Sequence, residues 1–181
     1  DTAGSTHDTL VCPGSFAVLG VNPNSPNDAV GAGKATVTVS DTDATATALE
    51  QEFPGEQAAT SYTVTSDESL TGAQVQQLKE ETATGLAAAA CQEPMNDQWL
   101  VGGTTERGTS NVITLSNPGS VPATVTITVY DEEGIVENVG TSGVLVPPQT
   151  QSTLPLAGFG VGRASPVIHV QAAGSPVAAT L

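Results

Sequence analysis

Aromatic side chains make up only 3% of this 181-residue chain, and its lysines and arginines number four against 19 acidic residues. A core with so few rings has to be assembled from Val, Ala, Leu, Ile and Thr methyls, and β-branched side chains suit the pleated surface of a strand. The four cations, Lys34, Lys79, Arg107 and Arg163, lie far apart in the sequence, so there is no basic stripe to neutralise phosphates. That excludes nucleic acid as a partner. A net charge of -15 is repelled by an anionic membrane surface, and its simplest role is to keep an exported protein soluble. No apolar run approaches the roughly 20 residues of a membrane helix, so direct membrane insertion by this stretch is not expected. The chain opens at Asp1 without a Met or an apolar leader, which fits a mature exported chain or a trimmed piece of one.

Catalytic vocabulary is equally sparse. Of the two histidines, His7 sits in a polar leader and His169 in the alternating stretch PVIHVQ, where Val167 and Gln171 share its face and Ile168 and Val170 point the other way. A sheet-surface histidine is the expectation. There is no Gly-x-Ser-x-Gly elbow, and the histidines lack zinc-motif spacing. Gly102-Gly103 and Gly158 to Gly162 do not join a strand to a helix, so they read as turns rather than phosphate loops. Carboxylates gather at Asp41 with Asp43, Asp67 with Glu68, and Asp131 to Glu133. Calcium needs six to eight oxygens, and none of these groups follows an EF-hand spacing, so solvated turns are expected in preference to a calcium site. We expect no catalytic residue, no cofactor and no metal.

Cys12 and Cys91 form an even pair in a chain rich in Thr, Ser, Gly and Pro, which suggests a disulfide and an oxidising compartment. A bond between them would close a loop of roughly 80 residues, worth on the order of 4 kcal/mol. Two thiols without neighbouring Cys or His fall short of a tetrahedral zinc set.

What the chain has in quantity is strand pattern. From Lys34 onward Ala35, Val37 and Val39 alternate with Thr36, Thr38 and Ser40, and further strands are expected at Thr9 to Cys12, Phe16 to Val21, TATALEQEF and Ser61 to Thr65. The segment Leu70 to Leu86 admits a short amphipathic helix with Thr71 as cap, and GLAAAAC has helical propensity. Strand is preferred for both, because SYTVTSDESLTGAQVQ echoes SPVIHVQAAGSPVAATL and because Gly85 and Pro94 leave too short a run for a helix. The second half gives about seven short apolar runs, WLV, NVITLS, ATVTITVY, GVLV, STLPL, PVIHVQ and PVAATL, each bounded by turn chemistry. In ATVTITVY, Val125, Ile127 and Val129 share a core-facing side, and Thr124, Thr126 and Thr128 share the other. The fold class expected is all-β, an immunoglobulin-like antiparallel β-sandwich in two related lobes, 1–95 and 96–181. The junction between the lobes falls within Gly85 to Gly119.

VCPG, GLAAAAC, WLVGG, LSNPGSVPATVTITVYDEEG, VLVPPQTQSTLPLAG and ASPVIHV, taken in that order, resemble the exported actinobacterial domain-of-unknown-function family 5719. WLVGG stands where the family carries a more aromatic version. The resemblance implies an exported or membrane-anchored envelope protein with Cys12 and Cys91 paired, and it implies no activity. It also implies longer members, so that 96–181 would be truncated at its C-terminus. Trp99, the only tryptophan, is the best candidate for a binding surface. The competing and preferred expectation packs it as a sandwich core plug or lobe-interface residue, with any contact site in the groove between lobes. The function expected is that of a non-catalytic, extracellular or cell-envelope module that contacts an envelope protein or polysaccharide. The alternative is an accessory carbohydrate-binding or glycan-processing protein.

Overall fold

A computed structural model describes residues 8–14, 17–18, 30–31, 36–41, 43–53, 62–66, 69–80, 83–109, 111–136 and 143–181. His7, the NPNSPND segment and the Asp67–Glu68 pair lie outside them. The chain divides into two compact units, Asp1–Glu50 with Gly55–Glu93, and Gln51–Pro54 with Pro94–Leu181. The described part is all-β apart from one 3-10 turn at Leu156–Phe159.

In the first unit the strands are β1 (Asp8–Cys12), β2 (Ala17–Val18), β3 (Val30–Gly31), β4 (Thr36–Val39), β5 (Thr45–Ala48), β7 (Tyr62–Ser66), β8 (Gly72–Glu80) and β9 (Ala83–Ala90), with β6 (Glu50–Phe53) belonging to a sheet of the second unit. Two antiparallel sheets, β1-β7-β5 and β4-β8-β9, supply one core of Leu10, Cys12, Val64, Leu70 and Cys91, against which Val37 and Val39 pack. The helix-or-strand question at Leu70 to Ala90 resolves as strand. β8 and β9 form an antiparallel ladder in register from Ala73↔Ala90 to Glu80↔Ala83, so alanine's helical preference yields to backbone pairing with β8.

Cys12 and Cys91 are bonded, with Cα atoms 4.2 Å apart. The disulfide is placed by backbone pairing: Val11 and Gln92 exchange N–H···O bonds of 2.8 and 2.9 Å, and the Cys91 amide donates to the Gly72 carbonyl at 2.9 Å. Gly72 packs closely there, where a Cβ would approach Val39 Cγ1 to 3.0 Å and the Cys91 sulfur to 3.2 Å. A buried glutamine closes the same unit. The side-chain amide of Gln74 donates to the Gly14 carbonyl and accepts from the Gly14 amide, giving an unpaired stretch of backbone both its partners.

The second unit contains β10 (Asp97–Val101), β11 (Val112–Asn117), β12 (Ala123–Asp131), β13 (Gly134–Ile135), β14 (Val144–Val146), β15 (Thr150–Pro155), β16 (Val167–Gly174) and β17 (Ala178–Thr180). Each of the seven apolar runs of the second half overlaps one of these strands. One sheet runs β10-β16-β12-β13 with β14 also on β12, and the other runs β17-β11-β15-β6. Their inner faces meet in a core of Ile113, Leu115, Val125, Ile127, Val129, Ile168 and Val170 with Leu156 and Phe159. This is a sandwich packed from branched aliphatics, as a chain poor in rings requires, and it is compatible with an immunoglobulin-like arrangement. The echo between the two halves also has a geometric form. β7 leads into β8, and β16 into β17, and each pair leaves one sheet to enter another.

Buried polar side chains hold this unit's edges. Gln98, only 5% exposed, donates to the Val177 carbonyl at 2.7 Å and accepts from the Ala179 amide at 3.1 Å, bonding β10 of one sheet to the backbone of β17 and the residue before it. Asn117 is wholly buried. Its amide donates to the carbonyls of Val121, Val146 and Pro147, and its oxygen accepts from the Gly119 amide at 3.0 Å. The Asn-Pro-Gly read as a turn signal is therefore also the hub that fixes the entry to β12.

Candidate functional site

β10 alternates exposed and covered residues, so Asp97, Trp99 and Val101 stand on the outer face and Gln98 and Leu100 on the inner. β16 does the same with Val167, His169 and Gln171 outward and Ile168 and Val170 fully buried. Antiparallel register then sets cross-strand rows: Asp97 opposite Gln171, Trp99 opposite His169, Val101 opposite Val167. On the far side of β16 the rows continue to Thr126, Thr128 and Tyr130 of β12.

The central row is a stack. The Trp99 indole and the His169 imidazole have centroids 4.1 Å apart and planes 5° from parallel, and the Tyr130 ring lies 5.4 Å from Trp99 at a 39° tilt. Below it, His169 Nε2 is 3.0 Å from both carboxylate oxygens of Asp97, and Gln171 Nε2 donates to Asp97 Oδ2 at 3.3 Å. An ionised carboxylate only accepts, so the imidazole hydrogen sits on Nε2. The carboxylate fixes the imidazole plane, and the imidazole supports one face of the indole. Trp99 is nevertheless 54% exposed. One face lies against His169 and Tyr130 stands beside the ring, so the exposed part of the indole is the part that these two rings leave uncovered.

This corrects the core-plug expectation for Trp99. It is not a core plug: it stands half exposed on the outer face of a sheet whose inner side is filled by aliphatics. His169 is on the sheet surface, as its alternation indicates. Asp97 and Tyr130 are the members that sequence reasoning missed. Alternation within DQWLV was the available signal for Asp97, since it puts Asp97 and Trp99 on one side, whereas Tyr130 joins them only through the pairing of β12 with β16.

The same face continues into exposed apolar residues, with Val101 80%, Ile135 62% and Leu145 59% exposed. Among its described residues it has no lysine or arginine.

The carboxylate turns do local work. Asp41 accepts from the Asp43 amide at 2.9 Å and from the Ser66 hydroxyl. Those hydrogen bonds, Ser66 first and the Asp43 amide second, hold its carboxyl below the usual aspartate range. Asp131 accepts from the Glu133 and Gly134 amides at 2.8 and 3.1 Å and pairs with Arg163. Among the described residues no group of three or more His, Cys, Asp or Glu side chains is placed to hold a metal ion, and no helix is long and apolar enough to cross a membrane.

Fold and site together define a disulfide-tied, antiparallel all-β module with an open aromatic sheet face. Residues 37–181 match the model of the Family of unknown function (DUF5719), which covers most of the chain, and the protein belongs to that family. The match takes in Cys91 and the whole Trp99 face and begins after Cys12. No curated protein and no solved structure matches the chain.

Proposed function

We propose that this protein is a non-catalytic module of the exported cell envelope that acts by contact, and that the contact surface is the outer face of β10, β16 and β12 around Trp99. The observation that carries the reading is the exposure of Trp99 on a sheet face whose other side is fully packed. An indole left half in water and steadied by a stacked imidazole contributes little to folding, whereas Trp and Tyr are the side chains that dominate binding surfaces. The disulfide supports an oxidising location, and a surface of strong negative charge supports solubility there.

Co-sedimentation of the protein with the envelope fraction of its producer tests this. Wild type is expected to pellet with the envelope and Trp99→Ala to stay in solution while keeping its fold. Equal retention of the two would place the contact elsewhere.

A further inference from the structure

We infer that the Trp99 face is a binding platform for an uncharged glycan, an inference that rests on the contact reading above and names its ligand. A pyranose ring has an apolar face of C–H groups and a rim of hydroxyls, so a site for it needs a flat apolar surface bordered by fixed polar groups. Trp99 provides the surface, and its stack on His169 fixes the plane in advance, which lowers the ordering cost of binding. Asp97 provides the border. It lies two residues before Trp99 on the same side of β10, about 7 Å along the strand, the reach from a stacked sugar to an acceptor for its rim hydroxyls.

That border is also fixed. Asp97 is held by His169 Nε2 and Gln171 Nε2, yet its side chain is 57% exposed. These two donors, which make three contacts between them, leave part of the acceptor capacity of its two oxygens for hydroxyl donors. Gln171, across the strand pair from Asp97, and Thr126 beyond it extend the row with groups that can both donate and accept.

Charge selects among glycans. The face carries a carboxylate and, among its described residues, no lysine or arginine, on a chain of net charge -15. A uronate- or phosphate-bearing polymer would meet repulsion with no cation to pair it, while a neutral polymer brings hydroxyls that the carboxylate can accept from. A protein partner is the competing occupant and is distinguished by experiment.

The full chain is titrated with short neutral gluco-, manno- and galacto-oligosaccharides, and separately with a polyuronate, while the fluorescence of its single tryptophan and the heat of binding are followed. The expected result is saturable binding of at least one neutral series at millimolar or lower concentration and none of the polyuronate. Affinity should fall about tenfold or more in Trp99→Ala, and severalfold in Asp97→Asn with the fold retained. The inference is overturned if no neutral series binds, if the polyuronate binds more tightly, or if Trp99→Ala binds as wild type does. Should Trp99→Ala lose envelope association while no neutral sugar binds, the ligand class is wrong and the contact surface stands.

Discussion

Trp99 lies flat against His169 across the β10–β16 pair, with ring centroids 4.1 Å apart. The imidazole is covered by the indole and bonded to Asp97, so each member of the row positions the next. On the opposite side of the same sheet, the two neighbours of His169 along β16, Ile168 and Val170, are fully buried. One face of this sheet is therefore filled by packing, and the other leaves its aromatic ring half exposed.

Substitutions on the two faces should separate cleanly. Trp99→Ala is expected to cost no more than about 1 kcal/mol, the scale of one exposed aromatic pair. Ile127→Ala, fully buried between the sheets, is expected to cost 2–5 kcal/mol, roughly the range for a large-to-small core change. Chemical denaturation checks both, and a Trp99→Ala loss as large as that of Ile127→Ala would mean the indole is structural.

The disulfide joins positions 79 apart in sequence, a closure worth on the order of 4 kcal/mol through the unfolded state. Denaturation in reductant, or of the Cys12→Ala/Cys91→Ala double variant, should move the first unit's midpoint sharply down. The second unit, which holds neither cysteine, should be far less affected. An unchanged midpoint for the first unit contradicts the stapling role.

At the turn before β12, a Cβ on Gly119 would collide with Ser175 Oγ. Gly119→Ala should destabilise by a few kcal/mol on the order expected for overpacking, and Ser175→Ala, which removes the clashing oxygen, should restore part of the loss. A double-mutant cycle reads the coupling directly, and additive effects would show that the two residues do not meet.

Asp41 gives a pH signature. Its folded carboxyl is held below the ordinary aspartate range by Ser66 and the Asp43 amide. A depressed acid contributes stability that is present above its unfolded value and lost as pH falls through the folded one. Ser66→Ala should therefore lower the melting temperature near neutrality and narrow its difference from wild type in strong acid. A difference independent of pH would contradict the assignment.

Much of the fold was legible in the sequence because its signals are local. ATVTITVY alternates so regularly that the buried side of β12 follows from period alone, and Asn117-Pro118-Gly119 marks the turn that precedes it. GLAAAAC was harder, since propensity favours helix and only the pairing with β8 decides for strand. The core-plug reading of Trp99 failed for a similar reason. Whether an alternating strand turns its rings inward depends on what fills the core, and Leu156 and Phe159 from the turn after β15 fill it here. Gln74 and Gln98 carry no signal in the sequence, since no local pattern reveals that a buried glutamine amide completes backbone pairing. The Trp99–His169–Asp97 row needed a register between strands some 70 residues apart, namely 72 for the Asp97–His169 bond, and one sequence does not contain that register.

The account turns on Trp99 meeting the envelope. Acrylamide quenching of the single tryptophan, measured on the free protein and with envelope material bound, tests this most directly. The account predicts ready quenching when free, as half-exposure demands, and strong protection when bound. Equal quenching in both states would contradict it.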